Sequence, residues 1–222
     1  MRSWGRLIAG TFVVLLCAAA PAWAQRPFNW TGLYVGGYTA VGQINAKPSE
    51  GISPQPDGGA WGAQVGYNYH LSRNWVAGVE LNAAFAHMEA TRTFRDSPTP
   101  MELQADTVKM HAVYGVQGRL GYAMGGTLFY ATAGRGWVDF ETRTASTQLG
   151  SPGGPAFFTY KNINPGWLFG TGVERHLWSN WTGKLEYQYF HGEKGTITDP
   201  NGSSGYQFDM HSIRIGVNYQ FR

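Results

Sequence analysis

The chain ends in SIRIGVNYQFR, where Ile213, Ile215, Val217, Tyr219 and Phe221 alternate with Ser212, Arg214, Gly216, Asn218 and Gln220. Successive side chains of a strand point to opposite faces, so a strict two-residue period predicts a strand with one apolar and one polar face. The period alone does not say whether the apolar face meets a protein core or a lipid. That depends on how often the pattern recurs and on what occupies the polar side.

It recurs in eight segments, over 30–44, 60–71, 75–90, 105–123, 127–144, 157–177, 181–195 and 206–221. In the second, Trp61, Ala63, Val65, Tyr67, Tyr69 and Leu71 share a face; in the fourth, Ala112, Tyr114, Val116, Leu120 and Tyr122 do. The connections alternate in length. Residues 72–74, 124–126 and 178–180 form short turns, whereas 46–59, 91–104, 145–156 and 196–205 are longer and rich in Pro, Gly, Ser, Asp and Asn. Those residues set turns and resist strand pairing. Short turns at one end and long loops at the other are the asymmetry of outer-membrane barrels, with the loops outside the cell.

The polar faces decide between a soluble sandwich and a barrel. A sandwich would show Glu80, Arg119, Glu174, Lys184, Glu186 and Arg214 to water. Two features favour lipid instead. Trp61, Trp75, Trp167 and Trp181 stand at strand ends, as an aromatic girdle requires. An apolar face on every segment also suits a closed barrel, which leaves no edge unpaired in a medium that cannot hydrogen-bond. The expected fold is therefore all-β: an eight-stranded antiparallel up-and-down transmembrane β-barrel. Its interior is just wide enough for side chains to fill. The inward charges Glu80, Arg119, Arg135, Glu174, Lys184, Glu186 and Arg214 are expected to form an ion-pair network that plugs it. A narrow, charge-lined channel is the alternative.

Composition and the first residues agree with export. Arg2 and Arg6 precede the apolar run LIAGTFVVLLCAAA, and Ala22-Trp23-Ala24 closes it, which describes a signal peptide over 1–24 cut before Gln25. Residues 25–222 are then the barrel domain. Cleavage removes the single Cys and two of 17 Lys and Arg, which leaves the basic residues one ahead of the 14 acidic ones. Such a balance gives no clustered charge for nucleic acid. With no cysteine left, neither disulfides nor a Cys-zinc site are expected. The 31 Gly, 12 Tyr, 12 Phe and 9 Trp, at a mean hydropathy of −0.29, fit a barrel whose lipid-facing and lumen-facing residues cancel.

Several stretches carry a resemblance. FNWTGLYVGGYTA, GAQVGYNYHLSRNWVAGVEL, GRLGYAMGGTLFYATAGRGW, WSNWTGKLEYQYFHGE and HSIRIGVNYQF, in this order, resemble the small Gram-negative outer-membrane β-barrel family of opacity-type and immunogenic porin-like surface proteins. The resemblance implies an eight-stranded barrel in the outer membrane, abundant and surface-exposed, with no common catalytic residues. It also implies that Tyr219 and Phe221 serve as a C-terminal signal for the barrel assembly machinery. Members usually end on the aromatic residue, whereas here Arg222 follows Phe221.

No cofactor, metal or catalytic residue is expected. His191 stands near the outer rim, but position 193 is Glu, so the short H-x-S arrangement of lipid A deacylases is missing. Ser203, Ser204 and Ser212 cannot be placed beside it from sequence. His87, His111, His191 and His211 fall towards the outer strand ends without a metal-ligand spacing. The expected role is envelope integrity and surface contact through four loops, with outer-membrane lipid as partner and the loop ligand unidentified. The alternative is a narrow porin for small solutes. An adhesin with a specific ligand and a lipid A-modifying enzyme rank below it.

Overall fold

Alternating Val, Tyr, Phe, Trp and Thr favour the pleated, half-buried surface of a strand, and strands make up nearly all of the described residues. The computed structural model describes residues 28–48, 57–95, 102–148, 156–199 and 202–222; the expected signal peptide lies outside them. The strands are β1 (Gly32–Pro48), β2 (Asp57–His70), β3 (Trp75–Arg95), β4 (Glu102–Met124), β5 (Thr127–Gln148), β6 (Ala156–Trp178), β7 (Trp181–Gly192), β8 (Gly195–Asp199) and β9 (Gly202–Gln220). From β1 to β7 each pairs antiparallel with the next, β7 pairs with β9, and β9 returns to β1 from Tyr34↔Gln220 to Pro48↔Tyr206. The sheet is thus a closed antiparallel barrel with no free edge along its main wall.

The segment expected as one strand over 181–195 is two. β8 pairs with the far end of β9, on the side that β7 occupies lower down, so both fill one of eight positions around the barrel. The interruption has a cause in β6. The β6–β7 ladder ends at Gly166↔Gly192, and the next residue up is Pro165, which has no N–H to donate. Its carbonyl still accepts the Glu193 N–H at 2.9 Å.

Most strands outrun their expected ends. The β3–β4 ladder continues to Arg95↔Leu103, so most of 91–104 is paired strand rather than loop. β5 likewise runs to Gln148, and β8 with β9 makes a hairpin of most of 196–205. The turn-forming composition of these stretches is outweighed by β-branched residues that pair across strands, as Thr91 and Thr107 do through their hydroxyls at 3.1 Å. Irregularities between Phe85 and Met88 and between Met110 and Ala112 shift the register. A one-residue slip moves side chains to the other face. Ala112, expected on the lipid side, is buried together with its neighbour Val113.

Two short turns need unusual backbone. Gly125, between β4 and β5, has φ +60°, and Ser179, between β6 and β7, has φ +47°. Left-handed φ at such positions fits the twist of tight hairpins.

Candidate functional site: the lumen and the two faces of the wall

The wall is inside-out relative to a soluble protein. Val41, Val79, Leu81, Phe85 and Ile215 lie more than half exposed on its outer face. Glu80, Arg119, Glu174, Lys184, Glu186 and Arg214 are all buried inside.

These six, with their polar neighbours, form a linked network. Arg119 donates to Glu174 and stacks its guanidinium over the Tyr130 ring at 3.6 Å. Glu174 also accepts from Thr182 Oγ1 at 2.5 Å and from Asn218 Nδ2 at 2.7 Å. Asn218 Oδ1 in turn accepts from Gln64. Lys184 Nζ sits between two carboxylates, 3.7 Å from Glu80 and 3.5 Å from Glu186. Glu80 accepts from Tyr34 and Gln117, both at 2.8 Å, and Glu186 accepts from Tyr130 at 2.8 Å. Arg214 lies 3.7 Å from Glu186, with its guanidinium over Tyr38. Three carboxylates thus face three cations, the balance that buried charge requires.

Apolar layers close the network at both ends. Towards the short turns, Phe28, Trp30, Val76, Ala123 and Leu128 pack together. Towards the loops, Met110, Val138, Phe140, Leu168, Phe190 and Phe208 are among the residues of a larger cluster. Within the network, Arg119 and Arg214 each keep Nε and Nη1 without a hydrogen-bond partner, and Gln64, Asn82 and Gln188 keep amide oxygens so. Buried groups of this kind are sites for internal water.

Arg135, expected in this network, is not part of it. On β5, Leu128, Tyr130, Thr132 and Val138 are buried inward, so the odd position 135 points out. There Arg135 pairs with Glu193 at 2.6 Å and lies over the Trp167 ring at 4.8 Å. The sequence reading took its charge as evidence for the lumen, where strand parity gives the opposite face.

Three tyrosines were missed as members. Tyr34, Tyr38 and Tyr130 reach inward and partner the network's charges. Parity was the available signal for the first two: Leu33 and Val35 are exposed outward, which turns Tyr34 and Tyr38 inward.

The outer face carries two aromatic levels. Trp75 lies beside Tyr122, with ring centroids 5.4 Å apart, and Trp181 beside Tyr219 at 5.2 Å, both near the short turns. Trp61 lies against Phe85 at 5.0 Å, ten residues above Trp75 along β3, and Trp167 stands on the same upper level. Ten residues at about 3.4 Å each, tilted by ~40°, rise ~26 Å, which matches the apolar band of outer-membrane barrels. Phe221 ends the lower level, its N–H on the Leu33 carbonyl at 2.8 Å and its ring 5.1 Å from Tyr219. Arg222 folds back, its guanidinium 4.0 Å from the Phe28 ring centroid.

Above the upper level a second charge cluster surrounds Glu141. Arg143 donates to Glu141, with Lys161 Nζ at 3.2 Å and His111 Nε2 at 3.6 Å. The Arg143 hydrogen bond, helped by Lys161 against the opposing effect of burial, lowers the Glu141 carboxyl from its usual 4.5 to about 2. Among the described residues, no three His, Asp or Glu side chains gather to hold a metal.

A closed barrel with an apolar belt, two aromatic levels and a charged, filled interior defines a transmembrane β-barrel of the outer-membrane class. Relatives agree. The family model described as outer membrane protein beta-barrel domain matches residues 10–221, and the chain belongs to that family. It is 28% identical to the 31 kDa outer-membrane immunogenic protein of Brucella melitensis, over 96% of this chain and 93% of that protein. It is 27% identical to the 25 kDa outer-membrane immunogenic protein of Brucella ovis, over 91% and 83%. Among solved structures, the outer membrane protein OprG from Pseudomonas aeruginosa shares the fold, with a TM-score of 0.50 at 16% identity, over 86% of this chain and 97% of that one. The protein is thus an outer-membrane barrel seated in outer-membrane lipid.

Proposed function

We propose that the protein is a plugged surface barrel that stabilises the envelope and meets the exterior through the four connections at its loop end. The observation that carries this reading is the lumen, where a charge-balanced network is capped by an apolar layer at each end. A filled interior suits a wall element rather than a conduit, and it leaves specific contact to the loops. In this reading residues 1–24 direct export and are removed, 25–222 form the domain, and Trp61, Trp75, Trp167 and Trp181 hold the barrel at the two lipid boundaries. Tyr219 and Phe221 present the last strand to the assembly machinery. No residue has a catalytic role.

A second reading, a narrow porin, draws on the guanidinium N–H groups of Arg119 and Arg214 that make no hydrogen bond to protein, which favour a wet interior. Single-channel recording in a planar bilayer separates the two. A refolded barrel that is silent supports the plug. Reproducible current steps that change when Glu80 or Arg119 is neutralised favour the porin.

A further inference from the structure

One row on the outer wall does not belong on a lipid face. Arg135, Trp167, His191 and Asp209 are paired one to the next across β5, β6, β7 and β9. The row lies at the upper aromatic level. Beneath it on the same wall come Phe169, Tyr189 and His211, and below these Tyr187 and Ile213; of these Phe169, Tyr187 and Ile213 are well exposed and suited to acyl chains.

Its chemistry is that of sugar recognition. The indole of Trp167 is half exposed; the Arg135 guanidinium lies over one face, which leaves the opposite face as the one against which the C–H side of a pyranose can stack. Glu193, bonded to Arg135 through Oε1, is itself nearly half exposed. A carboxylate has about four acceptor positions, so it can take hydroxyl groups as well. His191 Nδ1 meets Asp209 Oδ1 at 2.7 Å, and Gln207 Nε2 lies 3.2 Å from His191 Nε2. The carboxylate thereby fixes the ring with its Nδ1–H towards Asp209. The result is a rigid set of donors and acceptors beside an aromatic plane.

Charge points to sugar rather than phosphate. The one fixed cation of the row, Arg135, is matched by Glu193, and Asp209 adds a further carboxylate beside His191. A phosphate needs uncompensated positive charge. The cluster around Glu141, higher on the wall, has that excess; this row does not.

We propose that the row Arg135–Trp167–His191–Asp209, with Glu193, binds the sugar headgroup of an outer-leaflet glycolipid whose acyl chains lie on the apolar wall below. The occupant is lipid-anchored because the same strands that carry the polar row present Phe169, Tyr187 and Ile213 to the membrane lower down. The proposal rests on the membrane seating of the barrel and is independent of whether the lumen conducts.

The test uses the full chain, refolded in an amine-oxide detergent, with folding shown by its altered gel mobility before boiling. Native mass spectrometry then counts adducts with three probes: lipid A, its dephosphorylated form and the free glucosamine disaccharide. Both lipids should be retained, and the free disaccharide should not. Trp167→Ala and Glu193→Gln should each weaken retention by about tenfold, the scale of one lost aromatic or charge-assisted contact. Val79→Ala, on another part of the wall, should change nothing. Three results overturn the proposal: retention of the phosphorylated lipid alone, equal retention of the free disaccharide, or wild-type retention by both site variants. Glu193 is exposed at the rim, so Glu193→Gln keeps the test valid if Trp167→Ala does not fold.

Discussion

Arg119 and Glu174 form the contact on which the lumen depends most, because both are buried and Glu174 also anchors Thr182 and Asn218. Removing one member strands a buried charge. Arg119→Ala is expected to cost about 3–5 kcal/mol, read as a lower urea midpoint for the refolded barrel. Arg135→Ala removes a partly exposed pair and should cost under about 1 kcal/mol in the same titration. A similar loss from both would mean that burial is not what makes the lumen pair matter. Glu141 supplies a pH signature outside the lipid. Its carboxyl titrates at about 2 in the folded chain against an ordinary 4.5. A depressed folded value means that its contribution is complete above the unfolded value and is lost as pH falls from there through about 2. Glu141→Gln should lower the unfolding temperature at neutral pH and flatten its further fall across that acid window, so that variant and wild type converge near pH 2.

Strands work here because small residues on the inner face admit large ones from the neighbouring wall. A Cβ at Gly66 would sit 2.4 Å from the Tyr34 ring, so glycine there lets Tyr34 lie against the wall and reach Glu80. Gly66→Val should displace Tyr34 and break that bond. The expected outcome is a lower unfolding temperature, with a smaller further loss on adding Tyr34→Phe than the same change causes in the wild type. Strand identity and period were legible in the sequence, as the burial alternation of β7 and β9 shows. Strand length was not. Thr- and charge-rich stretches such as 91–95 pair beyond the apolar band, where the wall needs backbone hydrogen bonds but no apolar face. The break at 193–194 was also hidden, because it follows from Pro165 on the neighbouring strand.

For the molecule as a whole, closure is the property that matters. β9 pairs with β1 along fifteen residue pairs, so unfolding must open the whole ring. The protein should therefore migrate differently on a detergent gel before and after boiling. Deleting 49–56, 96–101 and 149–155 and joining the strands by short turns should preserve that shift, while abolishing any binding that depends on the loops. A lost shift would mean that the connections hold the barrel rather than decorate it.

By itself the sequence determined the class, the membrane medium and the polarity of the two faces, because a two-residue period writes inside and outside directly into residue order. It also named seven lumen charges, six of which the structure brings together. The tertiary structure decided which acid meets which base, since Lys184 bridges Glu80 and Glu186 only once β3 and β7 face each other across the lumen. It also moved Arg135 out of that set, because a charge says nothing about side and strand parity does. The apolar caps above and below the network belong to the structure as well, since each joins residues from several strands that only barrel closure brings to one height.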